Sequence, residues 1–381
     1  MGELQNCIVS IVVPIYKGFQ YIDNIIHMYE ENIKNMQRAG DENSIELILV
    51  NDYPDEKIEL THEGVRVINN EKNYGIQGSR VIGLNACLGQ YVLMLDQDDQ
   101  ISADFVLRQI ERIGDADLII CNGIHNNWKI FQSNADFESK MSDVGINYIV
   151  SPGQVLIRKA SIPEEWKRDI MSCAGVDDYY LWILMINNGA VFVYNDTILF
   201  EHVKHNDNTS NDMLVMKLSN EELIKKVEKY VKNGEYKRKL IEGIKKTIDE
   251  NIKQIKIEKV FERIVADKDF INHQVEINNC DCIVIYGFGN MGQKIYKLLQ
   301  ENGTQIDCVL DKKEPNESMK EKYNIKYPSK VNLDAVGDNK LVIVTPIKPS
   351  ESIKKFLLEN GIKHVETLLE MARMINEGNI L

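Results

Sequence analysis

Two α/β units joined by a helical segment are predicted from three observations on the 381-residue chain. Short apolar runs alternate with helical stripes up to about residue 120. A proline-free, lysine-rich stretch fills residues 220–268, and apolar runs resume at Cys280. A chain of this length exceeds what one hydrophobic core normally serves, so two or more domains are expected.

The first apolar runs are residues 8–13 (IVSIVV), 45–50 (IELILV), 65–68 (VRVI), 91–95 (YVLML) and 118–121 (LIIC). Runs this short, bounded by polar or turn residues, suit parallel strands buried on both faces. Between the first two, Ile22, Ile25, Ile26, Tyr29, Ile33 and Met36 recur at helical spacing and predict a helix with one apolar stripe against the sheet. A doubly wound α/β layer follows. After residue 210 the pattern turns helical. From residue 221 to 259 it carries twelve Lys/Arg against eight Asp/Glu, in a chain whose net charge is −13. That local excess is either a solvated helix face or a surface for an anionic membrane leaflet. The last part repeats the α/β pattern: CIVIYGFGNMG, DCVLD ending at Asp311, LVIVTP, and a helix at 350–358 closed by Asn360 and Gly361. The domains expected are therefore 1–213, a helical connector at 214–272, and 273–381.

A hydrophobic content of 44% with 27% charged residues is the profile of a folded globular protein. The acidic balance argues against a nucleic-acid partner. Seven cysteines, an odd number and several inside apolar runs, read as reduced thiols in a cytoplasmic protein. The first residues show neither the charged nor the apolar region of a signal peptide, and no apolar run approaches the ~18 residues of a membrane span.

Ligands of parallel α/β sheets gather at the carboxyl ends of the strands. The residues there are Pro14, Ile15 and Tyr16 after the first run, Asn51 and Asp52 after the second, and Asp96, Gln97, Asp98 and Asp99 after the fourth. Carboxylates this close repel one another, so a cation, a helix start or both are expected beside them. Asp104, after Ser102, reads as a helix-start acid. The run from Asn73 to Arg80 carries Gly75 and Gly78 for close backbone approach and one guanidinium suited to a diphosphate or base.

In order and spacing, residues 10–16 (SIVVPIY), 50–52 (VND), the Asn73-x-Gly75 to Arg80 run and 95–99 (LDQDD) resemble the family-2 glycosyltransferases of the GT-A fold. Residues 175–182 (GVDDYYLW) stand where that family has a Glu-Asp pair before an apolar helix, and residues 205–210 (HNDNTS) match its His-x-x-Asn-x-Ser ending. The resemblance covers roughly residues 7 to 213. It implies a GT-A domain that moves a sugar, with inversion, from a nucleoside diphosphate sugar, UDP-sugars first, to a hydroxyl of a glycan or lipid-linked glycan, as in bacterial cell-surface polysaccharide synthesis. Pro14, Tyr16, Asn73 and Gly75 would belong to the nucleotide pocket. Asp52 would take the base N–H, Arg80 would help fix the nucleotide, and Asp96 would sit near the ribose. Asp98 would ligate Mn2+ or Mg2+, and His205 would complete the metal or diphosphate contact. Asp178 would be the catalytic base, with Asp177 orienting the acceptor.

Two departures bear on this. Tyr53 and Pro54 follow Asn51-Asp52 where small residues are common, which leaves the nucleotide open, and Asp177 stands in place of Glu. The long, motif-poor stretch 122–163 would set specificity. A sugar nucleotidyltransferase would want a basic, Gly-rich first loop where Pro14-Ile15-Tyr16-Lys17 stands, and a non-catalytic sugar-nucleotide-binding protein is the other alternative. In the last part, Gly287, Gly289 and Gly292 follow a strand and open a helix, and Asp311 ends the next strand, the context of a nucleotide-binding loop in a small Rossmann-like domain. A ligand there, or a structural or self-associating role, is equally compatible with about 105 residues, and an oxidoreductase would rest on this domain alone.

Overall fold

The computed structural model describes residues 7–40, 44–126, 128–203, 209–267, 269–313 and 317–378. The chain packs as two units, Met1–Asp249 and Glu250–Leu381.

In the first unit nine strands form one sheet among the described residues: β1 (Cys7–Ile15), β2 (Ser44–Asn51), β3 (Val65–Asn69), β4 (Tyr91–Met94), β5 (Gln100–Ile101), β6 (Leu118–His125), β7 (Trp128–Lys129), β8 (Val155–Arg158) and β9 (Phe192–His202). The order is β3-β2-β1-β4-β8-β6-β9-β5, with β7 paired to β6. β1 to β4 pair in parallel, so their carboxyl ends share one edge. The sequence pattern misses β8, which lies antiparallel between β4 and β6, so β6 runs with β1 without pairing in parallel to its block. Four residues with one half-buried end carry too little pattern to announce a strand.

Helix α1 (Ile22–Arg38) buries Ile25, Met28, Tyr29 and Met36, the predicted stripe shifted slightly, against the core of β1, β2 and β4. Helix α2 (Gly75–Ala86) lies so close to the sheet that a Cβ on Gly83 would stand 2.3 Å from Val12 Cγ1. Helix α3 (Phe105–Ile113) starts at Asp104, whose carboxylate bonds Ser102 and Arg108, the helix-start role read from sequence. Beyond α4 (Asn134–Ser142) and α5 (Glu164–Arg168), α6 (Asp177–Asn187) buries Tyr180, Leu181, Trp182 and Leu184.

The lysine-rich stretch is helical, as α7 (Met213–Tyr230) and α8 (Gly234–Ala266), but it is shared between the units. In the first unit Lys226 Nζ reaches Asp169 at 2.5 Å, and the Glu222 carboxylate accepts from the Ser172 and Cys173 amides. In the second, Ile257, Val260, Phe261 and Ile264 sit in the core. Their apolar spacing, diluted by lysines, is what composition alone obscures.

The second unit is a five-stranded parallel sheet: β10 (Cys282–Tyr286), β11 (Ile306–Leu310), β12 (Ile325–Lys326), β13 (Lys340–Val344) and β14 (Val365–Thr367), in the doubly wound order β12-β11-β10-β13-β14. Gly287 takes φ +94°, and a Cβ on Gly292 would stand 2.0 Å from the Gly287 carbonyl oxygen. Around Gly289 there is open space. Gly292→Ala is therefore expected to destabilise this unit by ~1–3 kcal/mol through overpacking, with Gly289→Ala much milder. Paired thermal melts check this; equal melting of the two variants contradicts the packing.

Candidate active site

The acids at the shared strand edge are organised by one buried guanidinium. Arg80, on α2 and 3% exposed, donates through Nη1 to Asp177 Oδ2 at 2.6 Å and through Nη2 to Asp96 Oδ1. Burial alone would lower its pKa, but the charges of Asp177, Asp96 and Asp178 hold it well above the usual guanidinium range. The expectation that Arg80 faces a nucleotide gives way to a different geometry: its planar fork is spent on two carboxylates from separate elements, as bidentate guanidinium geometry favours.

Asp178 follows at the first turn of α6. Its Oδ1 accepts from the Tyr179 amide at 2.7 Å and its Oδ2 from Asn147 Nδ2 at 3.2 Å. Burial, reinforced by the charge of Asp177, pushes its pKa up to about 7. Of the two adjacent carboxylates, Asp177 is ion-paired with Arg80, and Asp178, without a cation of its own, is the one raised by burial.

Asp52 follows β2 at the same edge. It is buried, and its Oδ1 accepts from Asn70 Nδ2 and from the Tyr74 amide, both at 2.8 Å. Asn73 Oδ1 accepts from the Gly75 amide at 2.8 Å, and Gly75 takes φ +75°. Asp52 and Asn73 thereby fix the turn that launches α2. Pro14 lies in β1, and the amide of Tyr16 donates to Gln97 Oε1 at 3.0 Å. The exposed Tyr16 ring meets Tyr53 edge-on at 5.7 Å, and Lys17 Nζ stands over both rings. Tyr53, the departure noted in the sequence, therefore forms an aromatic pair at the rim.

Asp98 is half-buried in the turn after β4. Asp99 is 1% exposed and binds His202 Nδ1 at 2.8 Å and the Val203 amide at 3.2 Å. Burial lifts Asp99 to about 6 against the pull of His202, and the same bond raises the pKa of His202. His205 lies outside the described residues. His202, Asn147 and Ser151, whose hydroxyl reaches Asp96 Oδ2 at 3.3 Å, were not identified from sequence. The one available signal was that His202 closes the apolar run Ile198–Phe200, so that β9 delivers it to the acid edge.

For a divalent cation the fit is partial. Among the described residues no three His, Cys, Asp or Glu side chains stand together as a metal cage. The buried Asp99 Oδ2 accepts no hydrogen bond among them, and Asp98 is adjacent. That suits a hard cation held by one or two carboxylates and completed by substrate oxygens. In the second unit, both Asp311 oxygens are taken by backbone amides, Oδ2 by Phe288 at 2.6 Å and Oδ1 by Lys313 at 2.7 Å. Asp311 ties the glycine loop to β11.

The sequence model described as Glycosyl transferase family 2 matches residues 10–173. EpsH of Bacillus subtilis (strain 168), which carries a glycosyltransferase name, is 29% identical over 121 residues, covering 30% of this chain and 33% of its own. Glycosyltransferase GlyG of Streptococcus pneumoniae serotype 4 is 27% identical over 132 residues, covering 32% of this chain and 40% of its own. The chain thus spans less than half the length of these relatives. A solved structure of S. aureus TarS 1-349 covers 63% of this chain and 71% of its own at 15% identity, with a TM-score of 0.43. No helix among the described residues is long and apolar enough to cross a membrane. The similarity to glycosyl transferase family 2 thus lies in residues 10–173 of the first unit, the part that carries the acid edge.

Proposed function

We propose that the first unit transfers a sugar, with inversion, from a nucleoside diphosphate sugar to a hydroxyl of a glycan or lipid-linked glycan in cell-surface polysaccharide synthesis, with UDP-sugars the first donors to test. The observation that carries this reading is Asp178, held near pKa 7 beside the Arg80-paired Asp177, at the same edge as Asp96, Asp98 and Asp52. A base is most effective when its pKa lies near the working pH. Asp178 takes the proton of the acceptor hydroxyl, the freed oxygen bonds to the anomeric carbon, and the bond from that carbon to the diphosphate oxygen breaks. The electron pair leaves with the nucleoside diphosphate.

Arg80 holds Asp96 and Asp177 at fixed separation, so the base does not have to be positioned anew in each turnover. Asp52 orders the turn into α2 and presents the edge of the base pocket, with Tyr16 and Tyr53 at its rim. A Mn2+ or Mg2+ ion at Asp98 would supply charge stabilisation to the departing diphosphate. Asp98→Asn is expected to abolish the Mn2+-dependent part of nucleoside diphosphate affinity, because the amide lacks the charge that holds the cation. Calorimetry with and without Mn2+ checks this, and an unchanged metal dependence refutes the assignment of Asp98. The second unit folds around its own sheet. At Gly287 and Gly292 an added Cβ would meet Pro346 and the Gly287 carbonyl, whereas at Gly289 it would meet open space, and Gly289 is where a nucleotide would be sought.

The functional reading is tested by incubating the protein with Mn2+ and a panel of UDP-sugars, and following UDP release in the presence of saccharide acceptors.

A further inference from the structure

One cavity of the first unit, about 360 Å3, is used by none of the steps above. Its walls include His125, Trp128, Ile130, Asn147, Tyr148 and Val150. Two of these reach the acid edge. Asn147 Nδ2 donates to Asp178 Oδ2 at 3.2 Å. The His125 ring stacks on His202, with centroids 5.0 Å apart and planes at 22°, and His202 bonds Asp99. An occupant of this cavity would stand against Asn147, which bonds the base, and against His125, which stacks on the histidine of the acid edge. A hydroxyl acceptor has to approach the group that takes its proton, and this cavity lies one side chain from it.

The cavity's rim carries a tryptophan out of keeping with the other two in the chain. Trp166 and Trp182 are 0% and 2% exposed, whereas Trp128 is 75% exposed on β7, paired in register with His125. Singly exposed apolar side chains are ordinary and need no explanation. This one is a flat indole lining a cavity whose Asn147 donates to the base. Around it stand polar groups: Asn126, Lys129 and Lys140, the last already bonded to Asp136 and the Ile130 carbonyl. An aromatic plane with a polar surround fits a ligand with one apolar C–H face and hydroxyls at its edge, which describes a pyranose ring.

We propose that this cavity is the acceptor subsite and that Trp128 is its platform, stacking a pyranose ring of a saccharide acceptor so that a ring hydroxyl points to Asp178. The assignment rests on the transfer reading above and deepens it: the acceptor is recognised as a sugar, through stretch 122–163, before any lipid or polymer it is attached to.

Because the other two tryptophans are buried, acrylamide quenching of tryptophan fluorescence reports mainly on Trp128. UDP, GDP and dTDP binding is first measured by calorimetry with Mn2+. With the bound nucleotide present, methyl α- and β-pyranosides of glucose, galactose, mannose and N-acetylglucosamine are then titrated. At least one glycoside is expected to lower quenching severalfold. The affinity of that glycoside falls about tenfold, the loss of ~1.4 kcal/mol, in Trp128→Ala and is retained in Trp128→Phe, with circular dichroism showing both variants folded. Quenching unchanged by every glycoside overturns the proposal, as does equal glycoside affinity in Trp128→Ala. Absence of nucleotide binding by the unaltered protein is a separate result: it overturns the transfer reading, and the acceptor subsite with it.

Discussion

Asp178→Asn lowers sugar transfer by a factor of roughly 10²–10⁴ while donor affinity is kept, because the amide occupies the same space but cannot take a proton. The pH profile carries a second signature. Transfer by the unaltered protein is expected to rise with pH to a plateau above about 7, since burial raises the pKa of Asp178 to about 7. The sign for stability is opposite. A carboxyl whose folded pKa lies above its unfolded value binds more protons when folded, so its stabilising contribution is present below about pH 4 and is lost as pH rises toward 7. Asp178→Asn removes that part of the slope, so the variant gains on the unaltered protein between those limits. Transfer rates across pH and urea melts at pH 4.5 and 7.5 measure both. Full activity in the variant, or a rate already flat from pH 5, shows that Asp178 is only a helix start. The site then combines activity and strain in one group, a common stability cost of catalysis.

Arg80→Met is expected to destabilise the first unit by about 3–5 kcal/mol, the cost of leaving a buried partner charge uncompensated. Asp177 is 3% exposed and its carboxylate loses the Arg80 guanidinium, while Asp96 keeps Ser151. Arg80→Lys restores part of the loss, since one ammonium cannot span both carboxylates as the guanidinium fork does. Chemical denaturation of the two variants checks this ranking, and a loss below 1 kcal/mol for Arg80→Met contradicts the central place given to the guanidinium. Asp177→Asn is also expected to lower stability, which separates it from Asp178→Asn: the first weakens the scaffold, the second the chemistry.

How far the sequence reaches is visible in these same residues. Asp52, Asp96 and Asp98 were legible as residues of one shared edge because they follow strongly apolar strands, and parallel pairing of β1, β2 and β4 brings such ends together. The stripe on α1 and three of the second unit's strands, β10, β11 and β13, were legible for the same reason, burial imposing a pattern on the side chains, whereas the short β12 and β14 were not. Pairings across long sequence separation were not. Arg80 and Asp177 are 97 positions apart, and nothing local to either says that the guanidinium turns to acids instead of to a phosphate. His202 reaches Asp99 across 103 positions because β9 pairs antiparallel with β5, Gln100 opposite Glu201, and a two-residue strand leaves almost no pattern. Asn147 has no motif around it at all. Its role comes from the turn that carries it to Asp178.

The lysine-rich stretch shows the complementary failure. Its proline-free helical texture suggested a connector and its charge a solvated face, yet Lys226 is nearly buried against Asp169, and Glu222 caps the amides of Ser172 and Cys173 just ahead of the Asp177-Asp178 pair. Long charged side chains cover apolar surface with their stems and still find partners at their tips, so composition could not separate a packed helix from a solvated one.

The central claim is that the acid edge of the first unit breaks the bond between a sugar and a nucleoside diphosphate. Mass-spectrometric analysis of the nucleotide products tests it most directly, with UDP-sugars and Mn2+ in one reaction and nucleoside triphosphate with sugar 1-phosphate in the other. The account predicts nucleoside diphosphate from at least one UDP-sugar, reduced in Asp178→Asn, and no pyrophosphate from the second mixture. Pyrophosphate from the second mixture, with no diphosphate from the first, would contradict it and assign the edge to nucleotidyl transfer.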